Sequence, residues 1–423
     1  MKSKLKKLEG TARQLEVEMP KKMYDDVFEE VLRDVCRTAS IPGFRPGKAP
    51  KDMVMKKHGK EVHDEVKQRL IPRGYEQAVQ ENDLNPVSYP QISDILVSEQ
   101  GVLSFKATLD VQPEVSVKNY KGIKVAAEKV AVDDKEVDET IERMRNMQAE
   151  FKDVDHPVKK GDFAVCDVET LMNGEVISKK REKMWIEADK EVSLLGVGEE
   201  LCGMNKGDSK EIDVKLPENY PDGKYAGKEA VFKVEVREVK EKVLPALDEE
   251  LAKKFGKENM SEVREEIGKQ LSERKEMNSR IKSKNEIMKY LLDKNKFHVP
   301  GSMVRRQLKV LMERAENELL SKGVAKDVIE SHKDKLSGQL AKEAEDKVRL
   351  YFILDEIARI EDVNVTGEEM DAWLRNLASS YNQEFDKVKQ YYADNDLMGG
   401  LEEQLREEKT LDLLLSAANV TEK

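Results

Sequence analysis

A chain of 423 residues with 38% charged and 39% hydrophobic residues, 5% aromatics and a mean hydropathy of −0.68 has apolar material for several cores. It suits roughly two to four domains with long wetted helical faces rather than one compact globule. No apolar run is long enough to span a bilayer, and the charged start Met1–Leu8 leads into no apolar stretch, so neither a membrane nor a secretory signal is expected and the compartment is expected to be cytoplasmic.

Cys36, Cys166 and Cys202 are isolated thiols without C-x-x-C spacing, which excludes a disulfide framework and a zinc site and leaves them as small apolar packers. His58 and His63 stand five apart, not the three or four that stacks two ligands on a helix. No metal and no cofactor are expected.

Taken in order, the elements begin with a strand near Thr11 to Met19 and a helix from about Lys21 to Thr38, with Met23, Val27, Val31 and Val35 on one face. The next segment, Ile41-Pro42-Gly43-Phe44-Arg45-Pro46-Gly47-Lys48-Ala49-Pro50, is neither helix nor strand. Its prolines lack the N–H that both need, and its glycines permit positive φ. Phe44 is thus offered as an apolar anchor beside Arg45 and Lys48, a combination that suits an anionic partner surface; the other reading folds Phe44 back as a plug over its own domain. A phosphate-binding loop is excluded, because the glycines are one residue too close and Ala49 stands where Ser or Thr is needed. The net charge is −11, yet Arg45, Lys48, Lys51, Lys56, Lys57 and Lys60 face only Asp52 between residues 45 and 60, a local basic patch of the kind that attracts RNA-rich surfaces.

Helices are expected over Lys51 to Lys57 and Gly59 to Glu81, followed by strands near Val87 to Val97 and Val102 to Val111, hinged at Glu99-Gln100-Gly101. Val115 to Val132 reads as an extended arm, and Asp133 with Glu136 forms a capping-box pattern opening a helix to about Phe151. Phe163 to Val239 alternates as short strands, with turns at Asn173-Gly174, Lys206-Gly207-Asp208 and Pro221-Asp222-Gly223. From Asp248 onward no strand is expected. Val263, Ile267, Leu271, Met277, Ile281, Met288 and Leu292 approximate one helical stripe, and helices follow over Met303 to Leu320, over Ala325 to Ile360, and onward from a cap at Thr366 with Glu369. Such stripes serve as core or, with methionines among them, as adaptable surface for unfolded chains.

Gly43-Phe44-Arg45-Pro46-Gly47-Lys48-Ala49-Pro50 resembles, at every fixed position, the G-F-R-x-G-K-x-P signature of the trigger factor family of bacterial ribosome-associated chaperones. The resemblance implies a multidomain α+β chain. Its parts would be an N-terminal α+β ribosome-binding domain (1–112), a linker arm (113–150), a small β-rich FK506-binding-protein-like isomerase domain (151–244) and an all-α C-terminal chaperone domain (245–423). It implies ribosome binding through Gly43, Phe44, Arg45, Gly47, Lys48 and Pro50. The implied partners are a ribosomal protein and rRNA of the large subunit near the tunnel exit, unfolded nascent polypeptides, and a second copy off the ribosome.

Gly161-Asp162, Leu201 to Asp208 and Leu216 to Tyr220 likewise resemble the framework of FK506-binding-protein-type prolyl isomerases. Such enzymes enclose the proline ring in an aromatic, water-poor pocket. Aligned by that framework, Val168 occupies an aromatic position, and Leu194-Leu195-Gly196-Val197 replaces I-P-G-[FW]. Tyr220 and Phe232 keep aromatics, although Phe232 equally suits the domain core, and Met184 or Trp185 is placed at the floor. Isomerase activity is therefore expected to be weak or absent. Two other classes remain in view, a free cytosolic prolyl isomerase and a nucleic-acid-binding scaffold.

Overall fold

The computed structural model describes every residue except 43, 46, 99–100, 128–130, 190–195, 218–223 and 423. The chain divides into two units, one of Met1–Glu128 with Arg280–Lys423, the other of Lys129–Ser279.

The first unit opens with β1 (Lys2–Lys7), β2 (Ala12–Met19), α1 (Lys21–Thr38), α2 (Lys51–Glu81), β3 (Gln91–Val97) and β4 (Leu103–Asp110). The strands form an antiparallel sheet in the order β1-β2-β4-β3. Alternation sets Leu15, Val17 and Met19 of β2 beside Leu103, Phe105, Ala107 and Leu109 of β4 on one face, where Tyr24, Val27 and Val31 of α1 and Val62, Val66 and Leu70 of α2 close the core. Gly74 lets α2 approach β2, since a Cβ there would stand 2.9 Å from Met19 Sδ. Two expectations are corrected. The helices foreseen over Lys51–Lys57 and Gly59–Glu81 are one, because a helical glycine costs only ~1 kcal/mol and buried Val54 and Val62 anchor the turns on both sides of Gly59. The opening lysines, not foreseen as a strand, form β1, an edge whose lysines stay in water while Leu5 faces Leu15. β5 (Lys124–Ala127) lies within the expected arm.

In the second unit α3 (Asp134–Met147) carries the foreseen capping box, with Asp133 N–H donating to Glu136 Oε2 at 3.3 Å. The helix stops short of Phe151, which lies instead in β6 (Glu150–Val154) and pairs with Lys242. β7 (Phe163–Met172), β8 (Glu175–Val176), β9 (Arg181–Glu187), α4 (Val197–Glu200), β10 (Ser209–Lys215) and β11 (Glu229–Val243) complete an antiparallel sheet around a short helix. β11 pairs along one side with β10 and then β6, and along the other with β7; β7 in turn pairs with β8 and β9. The foreseen turn at Asn173-Gly174 has both residues at positive φ, and Gly207 turns at φ +93°, whereas residues 221–223 lie outside the described residues. α5 (Glu249–Lys254) and the first turns of α6 (Met260–Lys294) pack on α3 through Val137, Ile141, Ala252, Val263 and Ile267.

The expected single stripe along α6 is corrected. Val263 and Ile267 are buried, Met277 and Ile281 are 65% and 47% exposed, and Ile287 with Leu291, rather than Met288 and Leu292, forms the buried positions of the last turns. One helix of 35 residues serves two cores, so its middle faces solvent and its apolar phase restarts. In the first unit, Ile287 and Leu291 join Ile353, Leu354, Ile357 and Leu414 with Val117, Ile123 and Val125. The remaining helices are α7 (Gly301–Ser321), α8 (Lys326–Ser331), α9 (Lys333–Ile360), α10 (Gly367–Ser380), α11 (Phe385–Asp394) and α12 (Met398–Ser416). The stretch expected as one helix from Ala325 to Ile360 is broken at His332, whose φ and ψ of −107° and 6° leave the helical region. Thr366 and Glu369 form the foreseen capping box of α10. A last strand, β12 (Asn419–Glu422), corrects the expectation of an all-helical end: it pairs in parallel with β5, a partner too distant in sequence for any local pattern to reveal. Among the described residues no helix is long and apolar enough to cross a membrane.

Candidate docking loop and isomerase-like pocket

The loop after α1 is built from both ends. Ala39 N–H donates to Val35 O, Ala39 and Ile41 enter the core, and Pro50 caps α2 in an extended conformation that starts the next helix without an N–H of its own. Two tight turns lie between, closed by Phe44 N–H to Ile41 O and Lys48 N–H to Arg45 O, each at 3.0 Å. Gly47 has φ +82°, and a Cβ there would meet Arg37 O at 3.2 Å, so the backbone leans on the end of α1 where a side chain does not fit.

This frame leaves Phe44 40% exposed, which removes the plug reading. Arg45 and Lys48 are exposed, and neither side chain has an ion-pair partner among the described residues. The basic patch divides. Lys51 pairs with Glu29 at 2.8 Å and holds that carboxyl below its usual range, and Lys57 donates to Ser40 O at 2.9 Å, so two of the six cations brace the loop. Gly43 and Pro46 lie outside the described residues. His58 and His63 each have a local partner, Glu61 at 2.7 Å and the Tyr24 hydroxyl at 2.7 Å.

In the second unit Val168, Val197 and Phe232 are at most 5% exposed and belong to one cluster with Cys166, Leu201 and Val234. Met184 packs partly against that cluster. Trp185 does not: successive residues of β9 face opposite sides, and its ring meets Phe151 at 5.2 Å and Phe163 at 6.1 Å on the other face of the sheet, under the ammonium of Lys240. The floor position offered to Trp185 is thereby corrected. Leu195 and Tyr220 lie outside the described residues, while Gly196 turns at φ +86° to begin α4. Of the residues expected to line the pocket, Val168, Val197 and Phe232 are thus buried members of the domain core, and Phe232 is the one aromatic among them.

On the outer face, Asp167 is buried beside Val165. It accepts from Lys183 N–H at 3.0 Å and from Arg237, and Lys180 lies at 3.1 Å; these partners hold its carboxyl down at about 2. The bond to Lys183, which has φ +54°, pins the bulge by which β9 and β7 shift register. The thiol of Cys166 is pushed up to about 12, chiefly by burial. Cys202 is exposed, against the expectation that all three thiols pack.

These parts define a multidomain α+β protein containing an isomerase-type fold: residues 154–237 match the family described as FKBP-type peptidyl-prolyl cis-trans isomerase. Residues 1–144 match the bacterial trigger factor protein (TF) family, and residues 259–416 match the C-terminus of that family. The chain is 30% identical to Trigger factor of Desulforudis audaxviator (strain MP104C) over 99% of this chain and 98% of that protein. It is 33% identical to Trigger factor of Geobacillus thermodenitrificans (strain NG80-2) over 99% of this chain and 100% of that one. A solved structure from work on promiscuous substrate recognition in folding and assembly activities of the trigger factor chaperone shares the fold, with a TM-score of 0.52 at 23% identity over 98% of this chain and 99% of that one. The chain belongs to the trigger factor family.

Proposed function

We propose that this protein is an ATP-independent, ribosome-associated chaperone that receives nascent chains at the tunnel exit and assists their folding during synthesis, with weak prolyl isomerase activity at most. The observation that carries the reading is the tip of the loop after α1: an exposed Phe44 beside Arg45 and Lys48, cations without an ion-pair partner among the described residues, on turns braced by Gly47, Lys51 and Lys57. A tip with an apolar anchor and free guanidinium suits a surface of protein beside RNA phosphate. In this reading residues 1–112 dock through Gly43, Phe44, Arg45, Gly47, Lys48 and Pro50. Residues 113–150 link, residues 151–244 form the isomerase-like part, and the helices of 245–423 hold the client. Off the ribosome the chain pairs with a second copy, and its place of work is the cytoplasm.

The test is co-sedimentation with vacant ribosomes, comparing wild type with a Phe44→Ala, Arg45→Ala, Lys48→Ala variant whose fold is verified by circular dichroism. Loss of binding by the variant is expected; equal binding by both, or binding by neither, overturns the docking role.

A further inference from the structure

We propose that the open edge of β3 is a strand-addition site for extended, apolar segments of unfolded polypeptide. It is carried by the same module as the docking loop but at the other end of α1. The identity of the occupant rests on the chaperone reading; the site itself rests on the sheet.

The order β1-β2-β4-β3 leaves two edges, and the chain treats them differently. β1 carries Lys2, Lys4, Lys6 and Lys7, all of them exposed, a charge density that discourages pairing with another strand. β3 pairs only with β4 among the described residues, and its last three residues bear no charge. Ile95, Leu96 and Val97 are 42%, 65% and 40% exposed, a contiguous apolar run on a strand whose outer edge has no partner among the described residues. A bulge prepares it. Register shifts between Ser93 and Leu96, Asp94 adopts φ +51°, and the Asp94 carboxylate is tied to Lys106 at 2.8 Å, which neutralises the charge next to Ile95. Ile92, before the bulge, still packs against the core.

Location adds to this. Gly101, just past the hairpin tip, lies against Lys21 at the start of α1, with 3.2 Å from its would-be Cβ to Lys21 Cγ. The docking loop leaves the far end of that 18-residue helix, ~27 Å away at 1.5 Å per residue. A chain held at the edge would therefore sit apart from the docked tip.

The exposed run favours a short extended peptide over a second copy. A stable dimer buries ~800 Å² per partner, more than three partly exposed side chains supply. A strand added to an edge gains its main-chain hydrogen bonds whatever its sequence, and Ile95 and Val97 on one face with Leu96 on the other select apolar side chains.

The experiment uses the full chain without ribosomes and a fluorescent, proline-free decapeptide of alternating Val, Thr and Leu, with the same peptide N-methylated at alternate residues. Wild type is expected to bind the unmethylated peptide and slow hydrogen exchange at residues 95–97. Leu96→Lys is expected to weaken binding by at least about tenfold, and methylation to abolish it. Equal binding by Leu96→Lys, or of both peptides by wild type, overturns the site. So does a concentration-dependent dimer in sedimentation that Leu96→Lys dissolves, which would give the edge to a second copy. A parallel assay of aggregation of a reduced, unfolded protein separates the two readings: suppression that does not depend on Leu96 sinks this site alone, and no suppression by wild type sinks the chaperone reading and this occupant together.

Discussion

Arg237 donates twice to Asp167, from Nε at 2.9 Å and Nη2 at 2.8 Å, on the sheet face opposite the isomerase-like core. The carboxylate they share is buried and also accepts from Lys183 N–H, so it stands as an ionised group inside a hydrogen-bonded ring. With a folded pKa of about 2 against an unfolded value near ~3.9, Asp167 stabilises the domain above the unfolded pKa, and that contribution is lost as pH falls through the folded one. Asp167→Asn should lower stability at pH 7 by ~1–3 kcal/mol. The guanidinium is 46% exposed and screened by water, so the backbone bond carries much of this. Urea unfolding at pH 7 and pH 2.5 checks it: the gap between wild type and variant should narrow at the lower pH, and a gap that stays constant would mean the ring does not hold the charge.

The three thiols should separate by burial. Cys202 is exposed, Cys36 is half-buried, and Cys166 is both buried and held protonated by a pKa near 12. In native protein at pH 7.5 a maleimide should label Cys202 first, Cys36 more slowly, and Cys166 only after urea unfolds its sheet. Mass spectrometry of timed digests reads the order, and early labelling of Cys166 would contradict the packing around it.

The isomerase-like pocket should be stable but a poor catalyst. Phe232 lies within the cluster of Val168, Val197 and Leu201, so Phe232→Ala should cost ~3–5 kcal/mol. Wild type should accelerate a proline-limited refolding phase far less than an ordinary isomerase of the type if, as the resemblance implies, Val168 and Val197 stand at the positions where aromatic walls enclose the proline ring. Acceleration equal to such an enzyme would mean that the aliphatic walls suffice.

What the sequence made legible was local. The loop of Phe44, the helix before it, the capping boxes at Asp133 and Thr366 and the turn at Asn173-Gly174 each follow from a few adjacent residues with strong conformational preferences. What it concealed depends on distant partners. β12 exists because Asn419 pairs with Lys124, and Trp185 faces away from the core cluster because a bulge pinned by Asp167 fixes the phase of β9. The basic patch was legible as charge but not as structure, since only folding brings Lys51 to Glu29 and Lys57 to Ser40.

Gly47 gives the sharpest test of whether the loop must keep its shape. Its φ of +82° is one that side chains rarely adopt, and a Cβ would press on Arg37 O at 3.2 Å. Gly47→Ala therefore forces either strain of ~1–2 kcal/mol or a shift of the second turn. The helix ends and the core beneath do not include Gly47, so the melting temperature should fall by only a few degrees while Phe44, Arg45 and Lys48 remain in the sequence. If docking needs those three groups held in one geometry, Gly47→Ala should weaken ribosome co-sedimentation several-fold with all of them present. Unchanged binding would show that the loop docks by charge and apolar content alone, with its shape set by the partner.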